Sequence, residues 1–395
     1  MRRLLLITPA ELTRDIRARR AAVAAAAREF EVIGLCGQVS GEDPVPLDGV
    51  RIVRVGRRGR ANRLWFGDPA ARGARGRVLN ELRALYRVLR LLARTARLWR
   101  AGRRLGPIDV VHANDLDTLP AGFLLARSSR ARLVYDAHEL YSEFEAPAPR
   151  LARRLMILLE RALARRANAV VTVSEGVGHE LRARLGLRVQ PFVVPNAPAR
   201  STAEPEPFES GPLRVVYQGG LGPGRQLDDL LSAARAEGVS LAIRIRMADP
   251  GALRTAIQRR GLAERVRVLE PVPPASVLDA LREFEVGLIF DRPQSRNSEL
   301  SVPNKFFEYL MAGLAVVAPH LETLGPLVTG EEIGLTYDPH TPDALRATLE
   351  RLAADRPVLA AMRARARALA LTRLNAEVAA DVLAEAWDDN GAGVR

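Results

Sequence analysis

The chain contains a single lysine, Lys305, among 59 basic residues, so every other basic residue is an arginine. This lysine lies in the segment Ser301-Val302-Pro303-Asn304-Lys305-Phe306-Phe307-Glu308. An arginine presents a planar fork of donors, whereas a lysine is a compact point charge on a flexible stem. Two interpretations are open. A single lysine has to fall somewhere by chance, or a phosphate group requires a point charge here, and the neighbouring residues decide between them.

Lys305 and Glu308 are spaced so that both lie on one face of a helix. Pro303 suits the first helical position, and Ser301 can cap the helix. A plain Lys-Glu surface pair would contribute only a few tenths of a kcal/mol. In the functional interpretation, the ammonium neutralises phosphate oxygens while the carboxylate accepts hydrogen bonds from the two hydroxyls of a ribose.

A second motif is a glycine-rich turn that links a predicted strand to a predicted helix, Gln218-Gly219-Gly220-Leu221-Gly222-Pro223-Gly224-Arg225. Glycines let a backbone approach an anion closely, and a helix N-terminus offers free amides. Arg225 at that terminus can clamp a diphosphate through a charge-assisted fork. The turn lacks the Gly-Lys-Ser/Thr of a phosphate-binding P-loop. A glycine-rich turn without a ligand is an equal alternative.

Polar side chains also follow two predicted strands of the first half. His112 precedes Asp115 and Asp117, and Asp136 precedes His138 and Glu139. The carboxyl ends of parallel strands carry the ligand sites of open α/β sheets, and a histidine there can donate or accept a proton. The two aspartates resemble a metal-binding Asp-x-Asp, but their position favours the cap of the next helix. With no third ligand indicated, we predict no metal.

Short β-rich runs alternate with helical stretches through the whole chain, which predicts parallel sheets covered on both faces. The predicted strands of the first half are Leu4-Thr8, Glu31-Cys36, Arg51-Val55, Asp109-Ala113, Arg132-Asp136, Ala169-Val173 and Phe192-Pro195. A proline-rich polar stretch then predicts an interdomain linker. After it, the predicted strands are Leu213-Gln218, Leu241-Met247, Val266-Leu269, Val286-Phe290 and Ala315-Ala318. We therefore predict a first α/β domain at 1–196, a linker at 197–212, a second α/β domain at 213–372, and a last helix at 373–395.

Composition bounds the class of protein. The chain is 48% hydrophobic and 27% charged, which excludes a disordered protein. Its one cysteine, Cys36, excludes an intrachain disulfide and fits a reducing compartment. The apolar run that ends at Ile7 is too short for a signal peptide, and no run approaches the length of a membrane span. We expect a cytoplasmic protein.

The net charge of +13 is concentrated at 72–104, where eleven arginines and one acid, Glu81, surround an apolar stripe. Three interpretations compete: a solvated face on an ordinary core helix, attraction to an anionic membrane, and nucleic-acid binding. Surfaces that bind single strands usually combine basic residues with aromatic platforms, and this stretch offers only Tyr86 and Trp99. We predict no nucleic-acid partner.

Taken together, these motifs resemble family 4 of the glycosyltransferases, the retaining enzymes with the GT-B fold. The resemblance covers nearly the whole chain. It rests on Asp15-Ile16-Arg17, Asp109-Val110-Val111-His112-Ala113-Asn114-Asp115, Tyr135-Asp136-Ala137-His138-Glu139-Leu140, Glu160-Arg161 before Val171-Thr172-Val173-Ser174, Pro195-Asn196, Gly219 to Arg225, and Ser301 through Gly313.

The resemblance implies two Rossmann-like doubly wound domains that face each other across a cleft. It implies that the domain at 1–196 binds the acceptor, that the domain at 213–372 binds the nucleotide sugar, and that the last helix at 373–395 crosses back to the first domain. The activity it implies is that of a retaining hexosyltransferase that uses a UDP- or GDP-sugar and needs neither a cofactor nor a metal. The residues it implies are Gly219, Gly220, Arg225 and Lys305 for the diphosphate; Glu308 for the ribose; Glu299, Ser301 and Asn304 for the donor sugar; His138, Arg225 and Lys305 for catalysis; and His112, Asp115 and Glu139 on the acceptor side.

Three positions depart from the family pattern. Gly220 stands where relatives often have an arginine, Leu300 where they often have a second glutamate, and Pro303 where many have a glycine. Glu299 can replace the missing glutamate after a small loop shift, and Lys305 can compensate for the amide that Pro303 lacks.

Two other classes stay open. A nucleotide-sugar epimerase has the same two-domain architecture but needs an acid-base set around the sugar. A non-catalytic basic protein would bind a membrane or nucleic acid with strong salt dependence.

Overall fold

The structure is a computed structural model, and it describes residues 1–39, 46–59, 74–141, 150–207, 210–221, 227–245, 250–341 and 343–388. The chain divides into two compact units. The first comprises Met1–Val194 together with the residues from Ala379 onward, and the second comprises Pro195–Val378.

The first unit is built on a parallel sheet in which all seven predicted strands of the first half are present. In the described residues the strands are β1 (Arg3–Thr8), β2 (Glu31–Val39), β3 (Val50–Gly59), β4 (Val110–Asn114), β5 (Arg132–Asp136), β6 (Ala169–Thr172) and β7 (Phe192–Val193). Their order across the sheet is β3-β2-β1-β4-β5-β6-β7. Strands that are apolar on both sides need cover on both faces, and the helices between them supply it.

The helices of this unit are α1 (Ile16–Ala26), α2 (Ala74–Gly102), α3 (Leu119–Ser129), α4 (Arg150–Ala164) and α5 (Glu175–Leu185). Neighbouring residues of β4 show how the two faces are covered. Val110 packs in one core with the alanines of α1, whereas Val111 lies beside Gly122 of α3. On the α3 face, α2 packs on α3, α3 on α4, and α4 on α5.

The second unit repeats this architecture with β8 (Leu213–Gly219), β9 (Val239–Ile245), β10 (Val266–Leu269), β11 (Val286–Leu288), β12 (Ala315–Pro319) and β13 (Gly334–Tyr337). The order is β10-β9-β8-β11-β12-β13, and every neighbouring pair is parallel. The edge strand β13 is absent from the sequence prediction, because its four residues carry too short a pattern.

Helices again separate strands in the described part of the second unit. They are α6 (Leu227–Ala233), α7 (Pro250–Arg259), α8 (Arg296–Leu300), α9 (Asn304–Met311), α10 (Leu324–Gly330), α11 (Ala344–Ala354) and α12 (Arg356–Thr372). One core joins α6, α7 and α11 to Val215, and the other joins α9, α10 and α12 to Val216. Two doubly wound α/β units, as predicted, are therefore confirmed.

The last helix, α13 (Ala376–Trp387), follows a break after Thr372. Trp387 is fully buried in the core that Val110 shares with α1, where its ring meets that of Phe30 edge to face with 5.7 Å between the ring centres. The stretch predicted as a linker, 197–212, lies in the second unit. There Arg367 of α12 donates hydrogen bonds to the carbonyl oxygens of Ser201 and Ala203.

The start of α9 corrects one prediction. The helix begins at Asn304, with Pro303 as its N-cap and no side-chain capping bond, so Ser301 does not cap it. Pro303 is extended, with ψ at 147°, and this carries Ser301 away from the first turn. The Ser301 amide instead donates to the Asn297 carbonyl at 3.0 Å and ends α8.

A methyl group at Gly287 would disrupt the core of the second unit that contains Val216. A Cβ on this residue of β11 would lie 2.2 Å from ring atoms of Tyr309. We expect Gly287→Ala to lower the free energy of unfolding by about 1–3 kcal/mol, since overpacking displaces the ring. Gly330→Ala on α10, where a Cβ would meet nothing within 4 Å, is the matched control. Urea denaturation followed by circular dichroism measures both, and equal stabilities would contradict the prediction.

Candidate functional site

A buried ion pair lies at the carboxyl end of the first sheet. Arg17 of α1 grips Asp136, the last residue of β5, with Nε to Oδ2 at 2.8 Å and Nη2 to Oδ1 at 2.7 Å. Both side chains are buried. The remaining guanidinium hydrogens go to backbone carbonyls, with Nη1 to Val194 at 2.6 Å and Nη2 to Thr172 at 3.3 Å. One arginine thus joins α1 to the ends of three strands.

The electrostatics of Asp136 follow from this fork. Burial by itself raises the pKa of the carboxyl, but the Arg17 guanidinium, with His138 and His112, holds the pKa of Asp136 well below its ordinary value. The carboxylate therefore stays charged in the folded protein. A buried charge is tolerated only where it is paired and hydrogen-bonded, and Asp136 meets both conditions.

His112 on β4 is held from the other side by the last helix. The indole Nε1 of Trp387 donates to its Nδ1 at 3.0 Å, and its Nε2 lies 3.4 Å from Asp136 Oδ2. Because an indole N–H is only a donor, Nδ1 must be the unprotonated nitrogen and Nε2 carries the proton that faces Asp136. The sequence predicts His112 on the acceptor side, but its side chain is fully buried, so it orients Asp136 rather than contacting a ligand.

His138 lies between two carboxylates. Its Nδ1 is 3.1 Å from Asp115 Oδ1, and its Nε2 is 3.5 Å from Asp136 Oδ2. Burial alone lowers the pKa of His138, but the two acids outweigh burial and raise it. The protonated ring, with an N–H directed to each acid, is therefore favoured. A histidine in this state can donate and can stabilise negative charge, but it does not accept a proton.

Asp115 completes this cluster. Its backbone is left-handed, with φ at 69°, and its carboxylate accepts a hydrogen bond from the Tyr141 hydroxyl. Burial raises the pKa of Asp115, although His138 and Tyr141 oppose that effect. Glu139, the other acceptor-side residue predicted from the sequence, is exposed.

The helix-cap interpretation of Asp115 and Asp117 is wrong. Thr118 is the N-cap of α3, and no side chain makes a capping hydrogen bond there. Asp117 instead pairs with Arg94 of α2, and burial raises its pKa against the effect of that arginine. Among the residues that the structure describes, no group of His, Cys, Asp and Glu side chains is placed to hold a metal ion.

A second cluster surrounds Lys305 at the carboxyl end of β8. The side chain of Lys305 is almost fully buried; its Nζ lies 4.5 Å from the centre of the Tyr217 ring and 3.6 Å from Asp291 Oδ2. Tyr217 in turn donates to the Gly220 carbonyl at 2.6 Å. Gly219 has φ at 152°, and a Cβ there would lie 2.9 Å from the Tyr217 hydroxyl and 3.4 Å from Nζ. Only a glycine leaves this space beside the ammonium.

Glu308 is held by a buried chain of side chains. Arg244 Nη1 donates to Gln218 Oε1 at 3.1 Å, and Gln218 Nε2 donates to Glu308 Oε2 at 3.0 Å. The backbone N–H of Gln218 donates to the Tyr309 hydroxyl at 3.0 Å. Both side chains thus lie at the end of β8. Lys305 lies over the Tyr217 ring, and Glu308 accepts a hydrogen bond from the side-chain amide of Gln218.

The structure does not bring all predicted donor-site residues together. Glu299 on α8 accepts a hydrogen bond from the backbone amide of Glu322 at 3.0 Å, and Asn304 is exposed at the start of α9. Arg225 lies outside the described residues.

Sequence reasoning missed Gln218, Arg244 and Trp387 as parts of these clusters. Gln218 and Arg244 are directly opposite each other in the register of β8 and β9. The available signal was a polar residue at the end of each of two adjacent strands. For Trp387 there was no comparable signal, because its partner His112 is remote in sequence.

Two models of glycosyltransferase families match the chain, one in each half. Residues 16–197 match the model of Glycosyltransferase Family 4, and residues 225–384 match a model described as Glycosyl transferase-like. The chain belongs to the glycosyltransferases, and the family that its first half matches is family 4. No curated protein matches the chain in sequence.

Solved structures show that the fold is GT-B. Sucrose-phosphate synthase from Thermosynechococcus elongatus is 17% identical, with a TM-score of 0.72 over 98% of both chains. A glycosyltransferase from Rickettsia africae is 10% identical, with a TM-score of 0.68 over 98% of this chain and 99% of the other. HepE from Anabaena, in complex with UDP, is 16% identical, with a TM-score of 0.64 over the same shares.

Glu160 of α4 provides a test of the electrostatics beneath the first cluster. It accepts a hydrogen bond from the Tyr135 hydroxyl at 2.8 Å, and burial raises its pKa from 4.5 to about 7 against the effect of that bond. A carboxyl whose pKa is raised on folding contributes stability below its unfolded pKa and loses it as the pH rises to the folded value. The free energy of unfolding should therefore fall between pH 4.5 and 7.

We expect Glu160→Gln to remove this part of the pH dependence. The free energy of unfolding of the variant should therefore rise relative to that of the wild type as the pH rises from 5 to 8. The gain is at most about 3 kcal/mol, since one pKa unit corresponds to about 1.4 kcal/mol. Urea denaturation at each pH measures it, and Glu175→Gln at the exposed start of α5 is the control. An unchanged difference between variant and wild type across that range would rule out the raised pKa.

Proposed function

We propose that the chain is a retaining glycosyltransferase that moves a sugar from a UDP- or GDP-sugar to a hydroxyl of an acceptor. The observation that carries this proposal is the placement of Lys305 and Glu308 at the glycine end of β8, one cation and one anchored carboxylate in the same cluster. A diphosphate and a ribose are the two groups of a nucleotide sugar that such a pair binds. That HepE structures contain UDP and UDP-glucose supports the donor class.

The reaction breaks the bond between the anomeric carbon and the diphosphate oxygen and forms a bond from the same carbon to the acceptor oxygen. Retaining hydrolases use a carboxylate nucleophile. We propose instead that the leaving diphosphate accepts the acceptor proton on the same face of the sugar. Lys305 and Arg225 stabilise the departing charge, and His138 contacts the sugar near the reacting carbon. Because side-chain cations meet that charge, the proposal requires no metal, and turnover should persist in EDTA.

Lipid contact forms part of the proposal. The helix at 72–104 contacts an anionic membrane from its surface, supported by its arginines and by the exposed Leu89 and Leu92 of α2. Residues 72 and 73 lie outside the described part of the chain. Among the described helices, none has both the length and the apolar character needed to span a membrane.

A thermal-shift screen of nucleotide diphosphates and their sugars tests the donor class. We expect UDP or GDP, with the corresponding sugar nucleotide, to raise the melting temperature, because a ligand that binds only the folded state stabilises it. Incubation of the sugar nucleotide without an acceptor is the companion measurement. Isomerised donor in that incubation would indicate an epimerase, and the absence of any nucleotide-induced shift would contradict the proposal.

Lys305→Ala tests the phosphate contact. We expect kcat to fall on the order of 10²–10³-fold, as when a preorganised group that stabilises transition-state charge is removed. Arg254→Ala on α7 is the matched control, since it removes an exposed cation from the same unit. Circular dichroism confirms that both variants fold. A folded Lys305→Ala enzyme with near wild-type kcat on a verified donor would contradict the assigned role.

Glu308→Gln tests the ribose contact. We expect the wild type to bind the nucleotide diphosphate chosen by the screen more tightly than its 2′,3′-dideoxy analogue, by about 1.5–3 kcal/mol for hydrogen bonds to a charged group. The variant should bind both nucleotides with similar Kd, as measured by isothermal titration calorimetry. Glu322→Gln, which changes an exposed carboxylate, is the control. Full discrimination by Glu308→Gln would place the ribose elsewhere.

A further inference from the structure

Exposed apolar side chains are concentrated on one part of the first unit. Twelve large apolar residues of the described chain are exposed, and seven of them lie on α2, α3 and α4. These seven are Tyr86, Val88, Leu89, Leu92, Leu124, Leu155 and Leu158. Leu92 on α2 and Leu158 on α4 are each 60% exposed, whereas a leucine on the core face of a helix is almost fully buried. Single exposed leucines are ordinary, but a cluster marks an interaction site.

The three helices form one continuous layer. α2 packs on α3, and α3 packs on α4, over the same face of the sheet. Each follows a strand and returns to the start of the next parallel strand, so the three helices run antiparallel to the strands. The end of α2 meets the middle of α3, since a Cβ at Gly102 would lie 2.6 Å from Leu125. Leu89 therefore lies about 20 Å farther along the layer than Leu124, at 1.5 Å of rise per helical residue. The exposed apolar side chains of the three helices point away from the sheet and form an outward apolar band along the layer, hereafter the α2–α4 face.

Arginines surround the band, and the described side chains of α2, α3 and α4 include no exposed acid. The exposed arginines are Arg97 and Arg100 on α2, Arg127 on α3, and Arg153, Arg154 and Arg161 on α4. Glu160, the acid of α4, is buried against Tyr135. At the end of α4, a surface groove is lined by Leu158, Arg161, Ala162, Arg165 and Arg166. Apolar and cationic groups thus alternate along one surface.

We infer that the α2–α4 face docks on an anionic lipid bilayer, with Leu155 and Leu158 of α4 as apolar anchors and the arginines at the level of the headgroups. This inference deepens the membrane contact proposed above, on which it rests, and extends it from one basic helix to three. A helix with apolar and cationic residues together lies in the interface plane of a membrane, held by buried apolar area and by attraction to anionic lipid.

Nucleic acid fits this face less well than lipid. Stacking platforms would be needed, and Tyr86, the exposed aromatic residue of the face, already carries Arg90 over its ring at 5.5 Å. Exposed leucines make no favourable contact with a phosphate backbone, whereas a bilayer buries apolar side chains and its anionic headgroups attract guanidinium groups.

Vesicle flotation of the full chain tests the inference. The probes are phosphatidylcholine vesicles with and without phosphatidylglycerol, each at low and high salt. We expect binding to the anionic vesicles, with at least tenfold weaker partitioning to phosphatidylcholine alone, and loss of affinity as salt screens the arginines. A wild type that does not float with anionic vesicles would overturn the inference.

Two sets of variants separate the anchors from the charges. Leu155→Ser combined with Leu158→Ser should reduce partitioning about tenfold or more, because each leucine contributes apolar burial. Arg153→Gln combined with Arg154→Gln should reduce it and flatten the salt dependence. The matched controls are Val358→Ser on α12 and Arg259→Gln with Arg260→Gln at the end of α7, which change exposed apolar and basic residues of the second unit.

The outcomes distinguish this surface from the proposed chemistry. The leucine variant should keep wild-type thermal shifts with the nucleotide, so a failure of flotation leaves the donor site untouched, and a failure of nucleotide binding leaves the docking surface untouched. Equal losses in the control variants would mean nonspecific adsorption and overturn the inference. The inference would also be overturned if the wild type did not float with vesicles and the leucine variant kept full DNA binding.

Discussion

A buried charge pair, Arg17 with Asp136, organises the carboxyl end of the first sheet. Burying both ions is costly, and removing one partner of such a pair typically costs about 3–5 kcal/mol because the other is left uncompensated. Here the cost is offset by a two-point fork and by two backbone carbonyls that accept the remaining hydrogens. The pair fixes α1 against the strand ends, and it supplies the negative centre around which both histidines are arranged.

The second unit solves a related problem in a different way. Arg244 is also buried, but it reaches Glu308 through the neutral side chain of Gln218 rather than by a direct fork. An amide between the two charges orients the carboxylate without neutralising it. Glu308 is half-buried and is held by a neutral side-chain amide, whereas Asp136 is fully buried and pairs directly with Arg17. The two buried arginines therefore hold their carboxylates in different ways, Arg17 by direct contact and Arg244 through Gln218.

The sequence predicts the scaffold well, because apolar runs without alternation and the helices between them are local signals. All seven strands of the first sheet and five of the second were accessible in this way, while the short edge strand β13 was not. Long-range pairings were the main omission. His112 with Trp387, and Gln218 with Arg244, join residues whose proximity depends on strand order and register. The capping role predicted for Ser301 failed for a local reason, since the extended Pro303 moves the helix start beyond it.

The protonation of His138 bears on the proposed reaction. Both of its ring nitrogens face acids, and these acids raise the pKa of His138 against the effect of burial, which favours the protonated ring. The carboxylates around it are occupied as well: Asp136 is committed to Arg17, and Asp115 accepts from Tyr141. The described carboxylates of this cluster are therefore engaged by partners within it. In the reaction proposed above, the leaving diphosphate itself takes the acceptor proton, so that proposal requires no base in this cluster.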